Sequence, residues 1–291
     1  MVTEDLPSNW GRWGDADQLG ALNRIDDAAR LRAANEVRTG STVSLARRTD
    51  PTPLTTGLGP VSGVGATPGP VMQVVNFNGV DPLAVTDSLL VNTHNAALTH
   101  IDALVHIPVD GLVYPGVPLR DAVTPTGVRH GGADGFTSGI TTRGVLLDLA
   151  PGGGQVPAER RIGAADLDAA LSRAGTSVHE GDAVVVRGGW DTNRPMTDSV
   201  PGLDLDAVEW LDERGAALSI GDVGDPRPVA LPMPMHHVAM ARLGIPLVDA
   251  AELTDLAERC AALGRWSFML VLAPPRISGT TGLVVNPLAV F

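Results

Sequence analysis

The stretch GVLLDLAPGGGQVPAERRIGAADLDAALSRAGTSVHEGDAVVVRGGW, residues 144–190, decides the architecture. Its two ends, 144–150 and 182–190, are short aliphatic runs bounded by turn residues, which is the pattern of strands. Between them, Asp166 to Ala174 reads as a helix that follows a Gly-Ala-Ala-Asp lead-in. Working outward, VMQVVNF (71–77), DSLLVNTH (87–94), ALSIGDV (217–223) and SFMLVLAP (267–274) repeat the strand pattern. Leu205–Arg214 and Glu252–Leu263 read as helices, the second with Leu253, Leu256, Ala257 and Cys260 on one face. Strands outnumber helices, and helices cross between strands in the second half. The fold class is α/β, a mixed sheet with flanking helices. Residues 1–50 read as an N-terminal arm, carrying Trp10 and Trp13, with a helix from about Asp26 to Glu36. Residues 51–291 read as a single α/β domain. Within it, 51–70 holds so many Gly and Pro that it reads as a long loop.

Composition narrows the function. The chain carries 33 Asp and Glu against 21 Lys and Arg, a formal charge of -12. That balance repels phosphate backbones and anionic lipid, so neither nucleic acid nor a membrane surface is an expected partner. No apolar run nears the roughly 20 residues of a membrane span. The first residues lack the basic start and apolar core of a signal peptide, so the expected location is the cytoplasm. All 21 cations are arginine, which removes Schiff-base lysine chemistry. The single cysteine, Cys260, excludes an internal disulfide and a thiolate metal cage. There is no G-x-G-x-x-G, no phosphate-loop lysine and no G-x-S-x-G, so nucleotide binding and a serine-hydrolase elbow have little support.

Histidine clustering is the strongest chemical signal. Five of the seven histidines fall in two groups: His94, His100 and His106 in VNTHNAALTHIDALVHIPVDG, and His236–His237 in MPMHHVAMARLGIPLVD. Imidazole and carboxylate are ligands that zinc and manganese accept. Read as an extended chain, His94, His100, Asp102 and His106 share one parity and face one side. His100 and Asp102 then reach one metal ion, and His106 lies further along, acting on water or substrate. Of the adjacent pair, at most one points into a site. Asp249 ends the strand-like run GIPLV and is a reasonable ligand or acid/base. Asp222, Asp225 and Arg227 in GDVGDPRP are weaker candidates, with a capped turn as the plainer reading. The apolar residues around the motif (Leu98, Leu104, Val105, Leu112, Val113 and Tyr114) suggest an apolar substrate pocket.

Thr99, His100, Asp102 and His106 in THIDALVHIPVDGLVYPG resemble, at matching spacing, the H-x-G-T-H-x-D-x-x-x-H signature of the putative cyclase family, which includes kynurenine formamidase and isatin hydrolase. NWGRWGDADQLGALN, RGVLLDLA, GDAVVVRGGW, HHVAMARLGI and RWSFMLVLAPPRISGTTGLVVNPLA resemble blocks of its longer members, so the resemblance runs over nearly the whole chain. It implies a swivelling β/β/α fold and a homodimer or homotetramer. It implies a Zn or Mn enzyme that hydrolyses the C–N or C–O bond of an amide, lactam or lactone in a small, largely apolar substrate. The family's name reflects a link to antibiotic pathways, so a place in secondary metabolism is the expectation. The resemblance makes His100 and Asp102 metal ligands, His106 the acid/base and His237 the later family histidine, a catalytic candidate that, or else a backbone donor, stabilises the oxyanion, with Asp249 standing where smaller members carry glutamate. The chain departs from the pattern at Ala96, where the family has its first histidine, and at Leu98, where it has glycine. His94, two residues before Ala96, is the candidate substitute ligand. These departures leave two alternatives: a metal-free acid/base enzyme for cyclisation, dehydration or isomerisation, and a protein that kept the scaffold and lost the site.

Overall fold

The structure is a computed structural model that describes residues 6–53, 69–76, 81, 83–191 and 198–291. Its frame is a nine-stranded mixed sheet. The strands used below are β1 (Thr42–Ser44), β2 (Thr52–Pro53), β3 (Val71–Asn76), β4 (Thr86–Val91), β5 (His100–Asp102), β6 (Ile140–Asp148), β7 (Ala183–Arg187), β8 (Leu218–Gly221), β9 (Leu247–Asp249), β10 (Ser267–Leu272), β11 (Gly282–Val284) and β12 (Leu288–Val290). The sheet order is β1-β12-β10-β6-β7-β8-β9-β5-β11. β6, β7, β8 and β9 run parallel to one another, and the strands outside them are antiparallel. β7 and β8 are buried throughout, and β6 nearly so. These are the near-continuous Val, Ile and Leu runs of parallel strands covered on both faces.

The crossovers are helical, as 144–190 predicts. α1 spans Asp27–Ala34, α2 Ala164–Ala174, α3 Leu205–Glu213 and α4 Thr254–Leu263. Asp26 caps α1 by accepting from the Ala29 N–H at 2.7 Å. α2 ends on Gly175 at φ 60°, a left-handed residue that costs glycine little. α4 buries Leu256, Ala257 and Cys260 against the sheet. The arm is anchored where Trp10 Nε1 donates to the Ala241 carbonyl at 2.9 Å. Pro234–Met240 forms a π-helical turn between β8 and β9.

The 51–70 loop reading falls mainly on 54–68, outside the described residues. The extended reading of residues 94–106 is corrected. Only His100–Asp102 is strand, and turns flank it on both sides. Leu98 N–H bonds to Asn95 O, and His106 N–H bonds to Ala103 O, so the chain folds back twice. His94 and His106 therefore meet through turns rather than through strand parity. The substrate-pocket reading of the apolar neighbours is corrected too. Leu98, Leu104, Val105, Val113 and Tyr114 are at most 2% exposed and belong to the core. Leu98 is not among the residues that line the site cavity, while its carbonyl serves His100. Among the described residues, no helix is long and apolar enough to cross a membrane.

Candidate active site

The parallel strands fix where the site lies. Open sheets of this kind bind ligands in the crevice beyond the carboxyl ends of the strands. Here the ends of β7, β8 and β9 deliver Trp190, Asp222 with Asp225, and Asp249 to one cavity of about 280 Å³. β5 lies antiparallel beside β9 with His100 opposite Asp249, which brings the histidine motif to the same edge. His94, His100, Asp102, His106, His236 and Asp249 all line this cavity.

Asp102 is the hub. Its side chain is fully buried, and its pKa lies well below the usual carboxylate range. Burial alone would raise that pKa; the His236 and His94 imidazoles beside the carboxylate, with the charges of His100 and His106, overcome it. Oδ1 accepts from His94 Nδ1 at 2.8 Å. Among the described residues, Oδ2 has no hydrogen-bond partner. His100 Nε2 lies 3.5 Å from Oδ1, and His236 Nε2 lies 3.5 Å from Oδ2. His100 gives its Nδ1 proton to the Leu98 carbonyl at 2.8 Å, and His236 gives its own to Asp225 at 2.6 Å. Both imidazoles are thus fixed in orientation, with Nε2 aimed at the carboxylate. A metal-bound histidine has the same arrangement, with its second nitrogen donating to a carbonyl or carboxylate.

Among the described residues, two overlapping groups of donors can hold a metal ion: His94, His100 and Asp102, and Asp102, His106 and His236. The buried, unpartnered Asp102 oxygen and the two oriented imidazoles fit a borderline divalent ion such as Zn or Mn. Asp249 sits 3.6 Å from His236 Nε2, with its pKa raised by burial.

His106 stacks on His94 with ring centroids 3.7 Å apart and planes 2° from parallel. Burial pulls its pKa down to about 4, against the opposing pull of Asp102, so it is neutral at pH 7. A neutral imidazole at the cavity wall is equipped to accept a proton. Burial pushes the other way on His236 as well, but contact with Asp102 and Asp225 and the charge of Asp249 lift its pKa well above the ordinary value.

The expectation for the adjacent pair changes here. His236 enters the cluster, whereas His237 is not among the residues that line the cavity. The cause is the π-helical turn, which Asp225 pins by accepting from the Met235 and His236 N–H groups at 2.8 and 3.2 Å. Asp225 is the partner that sequence reading underrated, since a turn-capping Asp and a histidine-orienting Asp look alike before folding. Asp222 accepts from the N–H groups of Gly188, Gly189 and Trp190 at 2.6, 2.8 and 3.1 Å. Burial pushes its carboxyl up to about 6 against those three donors. It thereby sets the turn that carries Trp190, whose Nε1 donates to the Val156 carbonyl at 2.7 Å. The apolar wall comes from Trp190, Val200, Pro201, Val223, Val229 and Met233, all remote in sequence from the histidine motif. His130 bonds to the Tyr114 carbonyl and His179 to Ser177, both outside the site. Asp148 is committed to Arg187 at 2.9 Å.

Comparison with known proteins bears on the family and the fold. The sequence profile of the family described as "Putative cyclase" matches residues 52–225. A solved structure described as a novel cyclase is similar at TM-score 0.83 and 29% identity, over 98% of this chain and 100% of that one. Isatin hydrolase A from Labrenzia aggregata, bound to benzyl benzoate, is similar at TM-score 0.60 and 19% identity, over 88% of this chain and 94% of its own. Isatin hydrolase A from Ralstonia solanacearum is similar at TM-score 0.55 and 20% identity, over 90% and 94%. At those identities the two hydrolases share the fold with this chain. No curated protein matches the sequence significantly.

Proposed function

The chain belongs to the putative cyclase family, and from that premise we propose that it is a metal-dependent hydrolase of a C–N or C–O bond in a small, largely apolar amide, lactam or lactone. The observation that carries the reading is the buried Asp102 oxygen without a hydrogen-bond partner, faced by imidazoles already oriented for an ion. His94, His100 and Asp102, whose ligand atoms lie within 4.8 Å of one another, would hold the ion, with His236 and Asp249 beside Asp102. A divalent ion there supplies a Lewis acid that polarises a carbonyl and eases attack by water. The isatin hydrolase neighbours support hydrolysis as the reaction type.

The remaining work falls to this chain's own groups. His106, neutral at pH 7, takes the proton from the attacking water and returns it to the leaving nitrogen or oxygen. Asp225 keeps His236 in one tautomer and one rotamer. Trp190 and the aliphatic wall bind the apolar body of the substrate and exclude bulk water. The absence of the family's first histidine, at Ala96, favours the metal-free acid/base enzyme as the second reading.

Hydrolysis of a panel of apolar amides, lactams and lactones before and after chelation separates the two. Turnover that disappears with chelator and returns with Mn or Zn is the expected result. Turnover indifferent to chelation would overturn the metal-dependent reading and favour the acid/base one.

A further inference from the structure

We infer that Arg47 is a positioning residue for the cavity: its guanidinium ties the backbone that follows Asp249 to the turn that carries Trp190, and so sets the spacing between the carboxylate end of the cavity and its apolar wall. The role rests on that cavity being the substrate site, as proposed above.

The order of the strands shows why a tie is needed. β7 delivers Trp190 and β9 delivers Asp249, but β8 lies between them, so no ladder joins the two. Neighbouring strands lie about 4.8 Å apart, which puts β7 and β9 about 10 Å from each other. Arg47 crosses that gap. Its Nε donates to the Ala250 carbonyl at 3.1 Å, and its Nη1 donates to Asp191 Oδ1 at 2.5 Å. Nη2 reaches the Trp190 carbonyl at 3.5 Å. Asp222 holds the same turn from the other side, through the Gly188, Gly189 and Trp190 N–H groups. A guanidinium is a planar fork, so its donors keep fixed separations, which a single ammonium cannot do.

The end of β9 depends on such a hold. Ala250 follows Asp249 directly and has φ 56°, in the left-handed region where an alanine is strained. That conformation persists only where its surroundings over-determine it. Here two donors converge on one carbonyl, Thr99 Oγ1 at 2.7 Å and Arg47 Nε at 3.1 Å. The Thr99 hydroxyl spends its one proton on Ala250 and accepts the Arg47 N–H at 2.9 Å. Thr99 precedes His100, which pairs with Asp249 in the ladder, so one hydroxyl links Arg47 to both strands of the site. The Glu252 N–H adds a bond to the Leu45 carbonyl at 2.9 Å, fixing the segment that presents Arg47. Arg47 does not line the substrate cavity. It lines a neighbouring one of about 560 Å³ together with Thr99, so a small cation can reach the place that a shortened side chain would leave.

The test is fluorine NMR on the full chain labelled with 5-fluorotryptophan, the Trp190 line being assigned among the five tryptophans by Trp190→Phe. The variants are Arg47→Ala, Arg47→Lys and Asp191→Asn. The Asp191 side chain is 59% exposed, so its variant guards against misfolding at position 47. The added probe is methylguanidinium at millimolar concentration, beside methylammonium as control. The Trp190 line should move or split in Arg47→Ala and Arg47→Lys, and more weakly in Asp191→Asn, while the other four lines stay in place. Methylguanidinium, and not methylammonium, should return it in Arg47→Ala. On any amide, lactam or lactone that the wild type hydrolyses, Arg47→Ala should lower kcat/KM by up to about 100-fold, as for a small misplacement caused from outside the reacting groups, and methylguanidinium should restore it. A Trp190 line unmoved in Arg47→Ala, a change shared by all five lines, a shift that methylguanidinium fails to reverse, or an unchanged kcat/KM would overturn this inference. Should Arg47→Ala not fold, an unmoved Trp190 line in Asp191→Asn would overturn it equally. The expected fluorine result in a chain that hydrolyses nothing on the panel would leave the tie standing and count against the hydrolase reading alone.

Discussion

Replacing His236 by Ala, with His237→Ala beside it, separates two adjacent histidines that one sequence motif cannot. His236 lies among three carboxylates: Asp225 at 2.6 Å, Asp102 at 3.5 Å and Asp249 at 3.6 Å. Its side chain is 18% exposed and that of Asp102 is 0% exposed, so solvent screening is weak. Removing one partner of such a buried pair leaves uncompensated charge and costs about 3 kcal/mol or more. Unfolding entropy of about 2.1 cal/mol/K per residue makes each kcal/mol worth about 1.6 °C in a chain of 291 residues, so Tm should fall by about 5 °C. The pH window follows from the raised pKa of His236. Its stabilisation is fully present below the unfolded value, near 6.5, and fades as pH rises through the higher folded value. Scanning calorimetry at pH 6 in the presence of chelator is therefore the assay. His237 is absent from the cavity wall, and its variant should stay within about 1 °C. Added Mn should raise the Tm of the wild type and of His237→Ala alike. Equal losses in the two variants, or the larger loss in His237→Ala, would refute the placement of the π-helical turn.

Other consequences are equally accessible. His106→Gln should lower turnover by about 10²- to 10⁴-fold with metal content unchanged, and wild-type kcat/KM should hold as pH falls from 7 until His106 takes up a proton near its depressed pKa of about 4. Cys260 is fully buried and its thiol is pushed up to about 12, so a thiol reagent at pH 8 should label it only when the chain unfolds. The β3–β4 pair and the residues just before β4 expose Val75, Leu83, Val85, Leu89, Leu90 and Val91. We propose that a second copy of the chain covers them. Light scattering should give twice the 30.1 kDa chain mass, reverting to one in a Leu89→Ser/Leu90→Ser variant.

Much of this fold was legible because it is written in local pattern. The runs at 144–150, 182–190, 217–223 and 267–274 appear as strands, and the helices around them begin and end within a few residues of the expected positions. Such elements need only aliphatic runs, caps and turn residues to declare themselves. The motif histidines and Asp102 were legible as chemistry but not as geometry. Parity placed them on one face of a strand, whereas two turns actually bring them together. The choice between His236 and His237 depends on a π-helical turn and on Asp225, eleven residues away from His236, and no periodicity encodes that contact. Thr281 and Gly282 lie some 187 residues from His94 and join it only through the pairing of β11 with β5. The apolar wall was misplaced for a related reason. Hydrophobic neighbours in sequence became core, and the cavity took its lining from strand ends distant in the chain.

The most direct test of the central claim is metal content by plasma mass spectrometry on the untagged chain, beside His100→Ala. The account predicts close to one Zn or Mn per wild-type chain and its loss in the variant. A wild-type chain that stays metal-free after incubation with Mn and Zn, or a variant that retains the full complement, would contradict it.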